Sequence, residues 1–275
     1  MVINQKDISA NVKSALAEDV GDGDVTAELI PETAMASATL ITREHAIVAG
    51  CQWFDEVFNQ LAPATSINWQ IADGDAVVPE QILCTIEGSA RSLLTGERTA
   101  INFLQTLSAT ATTVASFVDI IKDTHTKILD TRKTIPGLRL AQKYAVACGG
   151  GTNHRIGLFD AILIKENHIM AAGSITQAVT QAKAKNLPVE VEVESLSELE
   201  EALEAKADQI LLDNFDLALL EKAVNINQGR AKLEASGNIS KDDLYAIAKT
   251  GVDYISIGAL TKHIRAIDFS MRINL

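Results

Sequence analysis

The chain has 275 residues, 47% hydrophobic and 22% charged, with a formal net charge of -12 and a pI near 4.9. Its length suits one or two domains with a large core, and its composition is that of a globular protein. The acidic balance argues against nucleic acid or an anionic membrane as a partner. No stretch reads as apolar enough to span a bilayer, and residues 1–7 lack the apolar core of a signal peptide, so the expectation is a cytoplasmic protein. Cys51, Cys84 and Cys148 are odd in number and widely spaced, without a CxxC, which predicts reduced, partly buried thiols.

Residues 7–18 carry Ile8, Val12, Ala15 and Leu16 at helical spacing. The acidic stretch Glu18 to Asp24 then breaks the helix. It lacks the spacing and closing glutamate of a calcium loop and reads as a plain loop. Residues 35–49 read as a strand pair, 53–58 as a helix, and 66–72 and 81–87 as strands joined by Asp73-Gly74-Asp75. From Leu93 to about Lys122 the pattern is helical and rich in threonine. These elements make a small α/β unit, and a domain boundary falls near residue 110: an N-terminal α/β sandwich over 1–110, then a second domain over 111–275 whose last residues return to the first.

From Ile128 onward, short apolar runs alternate with helix start signals. The runs end at Asp130-Thr131-Arg132-Lys133, Lys165, Glu194, Asp213, Ser236-Gly237 and Gly258. Ser174 with Gln177 and Ser195 with Glu198 match the capping box, while Asp216 and Ser240 stand where helix caps belong. Strands alternating with helices predict parallel βαβ units. In a β/α barrel, the residues at the strands' C-terminal ends converge on one mouth.

That mouth holds both charge signs. Residues 127–168 contain seven basic and three acidic residues in an otherwise acidic chain. Arg132, Lys133, His154, Arg155, Lys165 and Arg98 each read singly as well as ordinary surface charges. Together, beside strand ends and glycines, they suit an anionic small molecule, because guanidinium groups match carboxylates bidentately. Glu194 and Asp213, ending successive strands, suit Mg²⁺, ribose hydroxyls or a developing cation. Ser236-Gly237-Asn238 and Gly258-Ala259 suit a phosphate held by backbone N–H groups. No HExxH, GxSxG, Walker A or Rossmann motif is present.

At these residues the chain resembles the quinolinate phosphoribosyltransferase family. The resemblance lies in GERTAINFLQTLSATAT at 96–112, the block 128–169 containing DTRKT, GGGTNHR and ILIKENHI, VEVEVES at 189–195, ILLDNF at 210–215, LEASGNIS at 233–240 and GVDYISIGALT at 251–261. It implies an N-terminal α/β sandwich and a C-terminal open or incomplete α/β barrel. It implies a pentosyltransferase that joins quinolinate to 5-phosphoribosyl-1-pyrophosphate, with Mg²⁺ carried on the pyrophosphate. The implied basic unit is a homodimer with shared active sites, Arg98 reaching into the partner's site; a hexamer of dimers stays open as a larger assembly. Carried over, Arg98, Thr131, Arg132, Lys133, His154, Arg155 and Lys165 surround quinolinate and pyrophosphate. Glu194 and Asp213 face ribose and Mg²⁺, with Lys133, Lys165, Glu194 and Asp213 as the catalytic set. Ser236, Gly237, Asn238, Ile257, Gly258 and Ala259 hold the 5-phosphate. The alternatives are a same-fold transferase acting on nicotinate or another carboxylated ring, and a non-catalytic binding protein that keeps the pocket.

Overall fold

The computed structural model describes residues 2–274. In chain order the elements are α1 (Gln5–Val20), β1 (Met35–Thr42), β2 (Ala46–Ile47), α2 (Cys51–Leu61), β3 (Ser66–Trp69), β4 (Ala76–Val77), β5 (Ile82–Ser89) and α3 (Ala90–Val118). Then come β6 (Lys127–Leu129), α4 (Arg139–Cys148), β7 (Ile162–Ile164), α5 (Glu166–Ala172), α6 (Ile175–Lys183) and β8 (Val189–Val193). The chain closes with α7 (Leu196–Glu204), β9 (Gln209–Asp213), α8 (Leu217–Asn227), β10 (Lys232–Ser236), α9 (Lys241–Lys249), β11 (Tyr254–Ser256), α10 (Ala259–Lys262) and β12 (Phe269–Asn274). Two compact units result. One comprises Met1–Ala115, Thr134–Gly150 and Thr261–Leu275; the other comprises Ser116–Lys133 and Gly151–Leu260.

The first unit is built on an antiparallel sheet in the order β12-β1-β5-β3. β1 alternates exposed Ser37 with buried Ala36, Ala38 and Leu40, which is the period of a strand with one face on a core. That core holds Ile8 and Val12 of α1, Trp53, Phe54 and Phe58 of α2, and Ile101, Leu104 and Leu107 of α3. Residues 35–49 do contain two strands, but they do not pair with one another: β1 pairs with β12 and β5, and β2 pairs with β4. Asp73 sits between β3 and β4, and its carboxylate accepts the Gly50 and Cys51 N–H groups at the start of α2. The threonine-rich helix also has local reasons for its composition. Thr112 accepts the Ile47 N–H and Ser108 accepts the Ala49 N–H, so hydroxyls on α3 satisfy backbone beside β2.

Segment Thr134–Gly150 belongs to this first unit, whereas the sequence groups it with the second. Side chains account for the difference. Tyr144 donates its hydroxyl to Asp73, its ring lies 5.6 Å from that of Trp53, and Gln142 donates to the Thr261 carbonyl. Gly149 is a packing glycine: a methyl group there would stand 2.4 Å from the Ala111 carbonyl oxygen of α3. α3 with its following turn, Ala90–Ile121, is long and apolar enough to cross a membrane, contrary to the expectation from sequence. Half of its apolar window is buried within the fold.

The second unit is an open α/β barrel, a six-stranded parallel sheet in the order β6-β11-β10-β9-β8-β7. Thr152 adds a single parallel bridge to Leu129 on β6. The predicted caps form. Ser174, Ser195, Asp216 and Ser240 accept the N–H groups of Gln177, Glu198, Leu219 and Asp243. The return half of the second box is displaced by one residue, since Glu198 accepts from the N–H of Glu194 rather than from Ser195.

β8 shows what the sheet does for the site. Val189, Val191 and Val193 are fully buried on one face, and Glu190 and Glu192 occupy the other. In register, Glu190 pairs with Gln209 and Gln209 with Lys232; Glu192 pairs with Leu211 and Leu211 with Glu234. Parallel strands buried on both faces are usually continuously apolar. Here the inner face is polar, a local violation of the kind expected at a functional site.

Candidate active site

Within the second unit, the inner-face polar groups form two tiers along the strands. The outer tier lies toward the strands' C-terminal ends. Lys165, directly after β7, forms an ion pair with Glu192. Asp213, the last residue of β9, feels the charges of Glu192, Lys165 and Lys133. Burial first, then repulsion from Glu192, raises its pKa, while the two lysines work against the rise. Lys133 is exposed, and its stem crosses Gly258, where a methyl group would stand 2.7 Å from Lys133 Cδ. Thr131 turns its hydroxyl to accept the Lys133 N–H.

Glu192 is absent from the residues that the sequence brings forward, and it takes the place expected of Glu194. Both have the parity that faces inward, but Glu194 lies beyond the strand end and is exposed. Its N–H is held by Glu198, and with Glu166, Glu192 and Glu198 it lines an acidic recess of about 260 Å³. The signal was present in the alternation Val-Glu-Val-Glu-Val. An acid inside a strand is screened by both neighbouring strands, and one past its end is not.

The inner tier joins Glu190, near the start of β8, to Glu234, at the middle of β10. His154 Nε2 is 2.8 Å from Glu190 Oε2 on β8 and 3.5 Å from Glu234 Oε2 on β10. Gln209 on β9 donates to both acids, at 3.0 and 2.6 Å. Asp130, fully buried after β6, accepts the His154 N–H and the Asn153 side-chain amide, both at 2.8 Å. His154 and Arg155 line a cavity of about 330 Å³ whose other walls include Pro188, Asp208, Lys232 and Tyr254 at the strand starts. The site residues therefore do not all gather at the mouth.

Arg155 is also close enough to Arg132 for their charges to oppose each other. Burial first, then that repulsion, lowers the Arg155 pKa. Two guanidinium groups held near one another favour a ligand with two negative charges. His168 serves locally, its Nδ1 accepting the Lys165 N–H at the start of α5.

The late loops are interlocked. Asn214, with a left-handed φ of 56°, donates its N–H to the Ser236 carbonyl and its side-chain amide to Asp213. Gly237 has φ +112°, and a methyl group on it would lie 2.3 Å from Asn214 Oδ1. Glycine is required there both by conformation and by the close approach of Asn214. A cleft of about 590 Å³ is lined by Asn214, Phe215 and Asp216 on one side and Ser236, Gly237 and Asn238 on the other. Gly258 and Ala259 follow β11, with Ala259 opening α10. Ile257 departs from its expected role: its side chain is buried and its N–H is spent on the Leu129 carbonyl of β6, so it serves the sheet. Arg98 lies exposed on α3 in the first unit.

Two groups of donors bear on metal binding. Glu192 and Asp213 offer hard carboxylate oxygens whose mutual repulsion a divalent cation would relieve. Among the described residues, His154, Glu190 and Glu234 also bring ligand atoms within 4.8 Å of one another, but hydrogen bonds already join them.

An open α/β barrel whose strand ends carry lysines, arginines and a carboxylate pair is suited to an anionic small molecule that develops charge as it reacts. Comparison with known proteins gives the family. Residues 24–108 match the N-terminal domain of quinolinate phosphoribosyl transferase, and residues 110–272 match its C-terminal domain. The chain is 42% identical to the chloroplastic nicotinate-nucleotide pyrophosphorylase (carboxylating) of Oryza sativa subsp. japonica, over 98% of this chain and 78% of that one. It is 40% identical to the corresponding protein of Mycobacterium leprae (strain TN), over 94% and 95% of the two chains. The solved structure of the nicotinate-nucleotide pyrophosphorylase from Francisella tularensis superposes with a TM-score of 0.97 at 50% identity, covering 99% of this chain and 98% of that one. The chain belongs to the quinolinate phosphoribosyltransferase family.

Proposed function

We propose that this protein transfers the phosphoribosyl group of 5-phosphoribosyl-1-pyrophosphate to quinolinate, releasing pyrophosphate and CO₂ and forming nicotinate mononucleotide for de novo NAD synthesis. The observation that carries the reading is the outer tier: Lys165, Glu192, Asp213 and Lys133 interact at the C-terminal ends of parallel strands.

The chemistry suits these groups. The quinolinate ring nitrogen attacks the anomeric carbon of the ribose as the bond to pyrophosphate breaks. Positive charge grows on the sugar and negative charge on the leaving group. Asp213 and Glu192 oppose the first charge, and Lys133 and Lys165 oppose the second. Mg²⁺ would be held by Glu192 and Asp213 together with the pyrophosphate, supplying further charge neutralisation. The ribosylated ring carries a cationic nitrogen beside C2. Its charge stabilises the carbanion left at C2 when CO₂ departs, and a proton then takes the place of the lost carboxylate. Positioning of two charged reactants accounts for much of the rate in such a reaction.

Arg132, Arg155 and His154 supply cations for the two carboxylates of quinolinate. Ser236, Gly237, Asn238, Gly258 and Ala259 hold the 5-phosphate. In a homodimer with shared sites, Arg98 adds a cation to the partner's quinolinate pocket.

The deciding assay follows quinolinate-dependent CO₂ and pyrophosphate release with Mg²⁺, with nicotinate in parallel. Turnover with nicotinate but not quinolinate would overturn the proposal. Sharing of sites is read separately: Arg98→Ala and Asp213→Ala subunits, each inactive alone, should regain activity when mixed under conditions of subunit exchange.

A further inference from the structure

Of the inner tier only His154 enters the chemistry above; Glu190, Gln209 and Glu234 have no part in it, yet both acids are buried. Glu234 is 1% exposed and Glu190 6% exposed, and both lie on the inner face of the sheet. Burying a carboxylate costs several kcal/mol unless it is paired and hydrogen-bonded. An inner face lined by Leu and Val would avoid that cost. The two acids converge on one ring, that of His154, and Gln209 bridges them from the strand between.

We infer that Glu190 and Glu234, tied together by Gln209, are positioning residues that hold His154 as an imidazolium, so that the barrel interior presents a permanent cation beside Arg155 to a dianionic ring substrate. This rests on the reading of His154 and Arg155 as contacts for quinolinate.

The groups facing His154 come from every neighbouring strand. Glu190 on β8 and Glu234 on β10 favour the charged ring, and the buried Asp130 after β6 accepts the His154 backbone N–H. Against them stand Arg155, next in sequence, and Lys232, which lines the same cavity with Asp208 and Tyr254. Burial by itself would lower the His154 pKa. Hydrogen bonds to Glu190 and Glu234, then their charges, more than reverse this and raise it to about 10. Direct contact outweighs the more distant cations because Coulomb interaction falls with separation and is less screened inside the protein.

A neutral imidazole offers one N–H donor, and an imidazolium offers two. With Nε2–H directed at the acid pair, only the charged ring also has a proton on Nδ1. The Nε2 contacts fix the orientation of the ring, and the two adjacent acids favour its charged form. An ordinary histidine titrates near pH 6.5. A clamped one would let dicarboxylate binding pass through neutrality without change.

The first arm of the test is ¹⁵N NMR of the histidine rings in the whole protein, compared with His154→Gln to assign the signal. The expected result is a doubly protonated His154 from pH 5.5 to 8.5 in the wild type, and a ring that turns neutral within that range in Glu190→Gln. A wild-type His154 that titrates near pH 6.5, or that carries a chelation-resistant metal in place of the proton, overturns the inference. This arm needs no substrate, so its outcome is independent of the transferase assay.

The second arm is KM for quinolinate against pH at saturating phosphoribosyl donor. The wild type should be flat from pH 6 to 8. In Glu190→Gln, KM should climb up to about tenfold per pH unit above the ring's new pKa with kcat little changed, and Glu190→Asp should restore the flat profile. A flat profile in Glu190→Gln with a demonstrably neutral His154 would overturn the link to substrate. If Glu190→Gln does not fold, Glu234→Gln carries the same comparison.

Discussion

Glu190 and Glu192 stand two residues apart on the same face of one strand, in very different surroundings. Glu190 is buried, bonded to Gln209 and to His154. Glu192 is partly open and pairs with Lys165, whose side chain is 48% exposed. The strand supplies both with the same backbone geometry; depth along the barrel makes the difference. Glu190 and Glu234 are almost wholly buried, so their charge must be fixed by partners rather than by water. Near the strand ends, water competes with the partner, and the pair can separate at modest cost to admit a substrate or metal ion. The inner tier is thus built to stay as it is, and the outer tier to change partners during a reaction.

The contrast can be tested from the largest effect downward. Glu190→Ala should destabilise the fold by about 3–5 kcal/mol, because it leaves a buried imidazolium short of its principal partner. Urea unfolding at pH 7 measures this, and a loss below about 1 kcal/mol would show that the inner tier is no more committed than the outer one. Asp213→Asn should lower kcat about 10²- to 10³-fold, or about 2.7–4 kcal/mol, with unfolding free energy nearly unchanged. Steady-state kinetics and urea unfolding of the same sample separate those two effects.

Gly237→Ala should cost about 1–3 kcal/mol, since φ +112° and the approach of Asn214 both oppose a methyl group. Its signature is a lower Tm together with a raised KM for the phosphoribosyl donor rather than for quinolinate. Glu192→Gln is the counterpart of Glu190→Ala. Its effect on stability should stay within about 1 kcal/mol, as for an ion pair that water still reaches through Lys165, while activity falls.

The pH dependence sharpens the comparison further. His154 has a folded pKa raised to about 10 against about 6.5 in the unfolded chain. Its contribution to stability is complete below about pH 6.5 and is lost as pH rises through about 10. The stability advantage of the wild type over Glu190→Gln should therefore shrink between pH 7 and 10, measured as the difference in unfolding free energy at each pH.

Much of the architecture is written locally. The apolar runs ending in polar residues identify the strands of the barrel, and Ser174, Ser195, Asp216 and Ser240 mark its helix starts. Caps and period-two patterns act within a few residues, so they survive as sequence signals. The family motifs bring Lys133, Lys165, Asp213 and the Ser236-Gly237 turn forward as candidates, and the structure draws the first three together. Three assignments needed the tertiary structure. Glu192 occupies the place expected of Glu194, Ile257 spends its N–H on the sheet, and Thr134–Gly150 joins the first unit through Tyr144 and Gln142. The inner tier, as a cluster, was hidden. His154, Glu190, Gln209 and Glu234 come from separate strands and a loop, and nothing near any one of them announces the other three. By itself the sequence determined which residues could carry charge on the inner face of each strand. Only the fold decided which of those charges are sealed from water, because burial depends on where neighbouring strands and loops come to lie across the whole sheet.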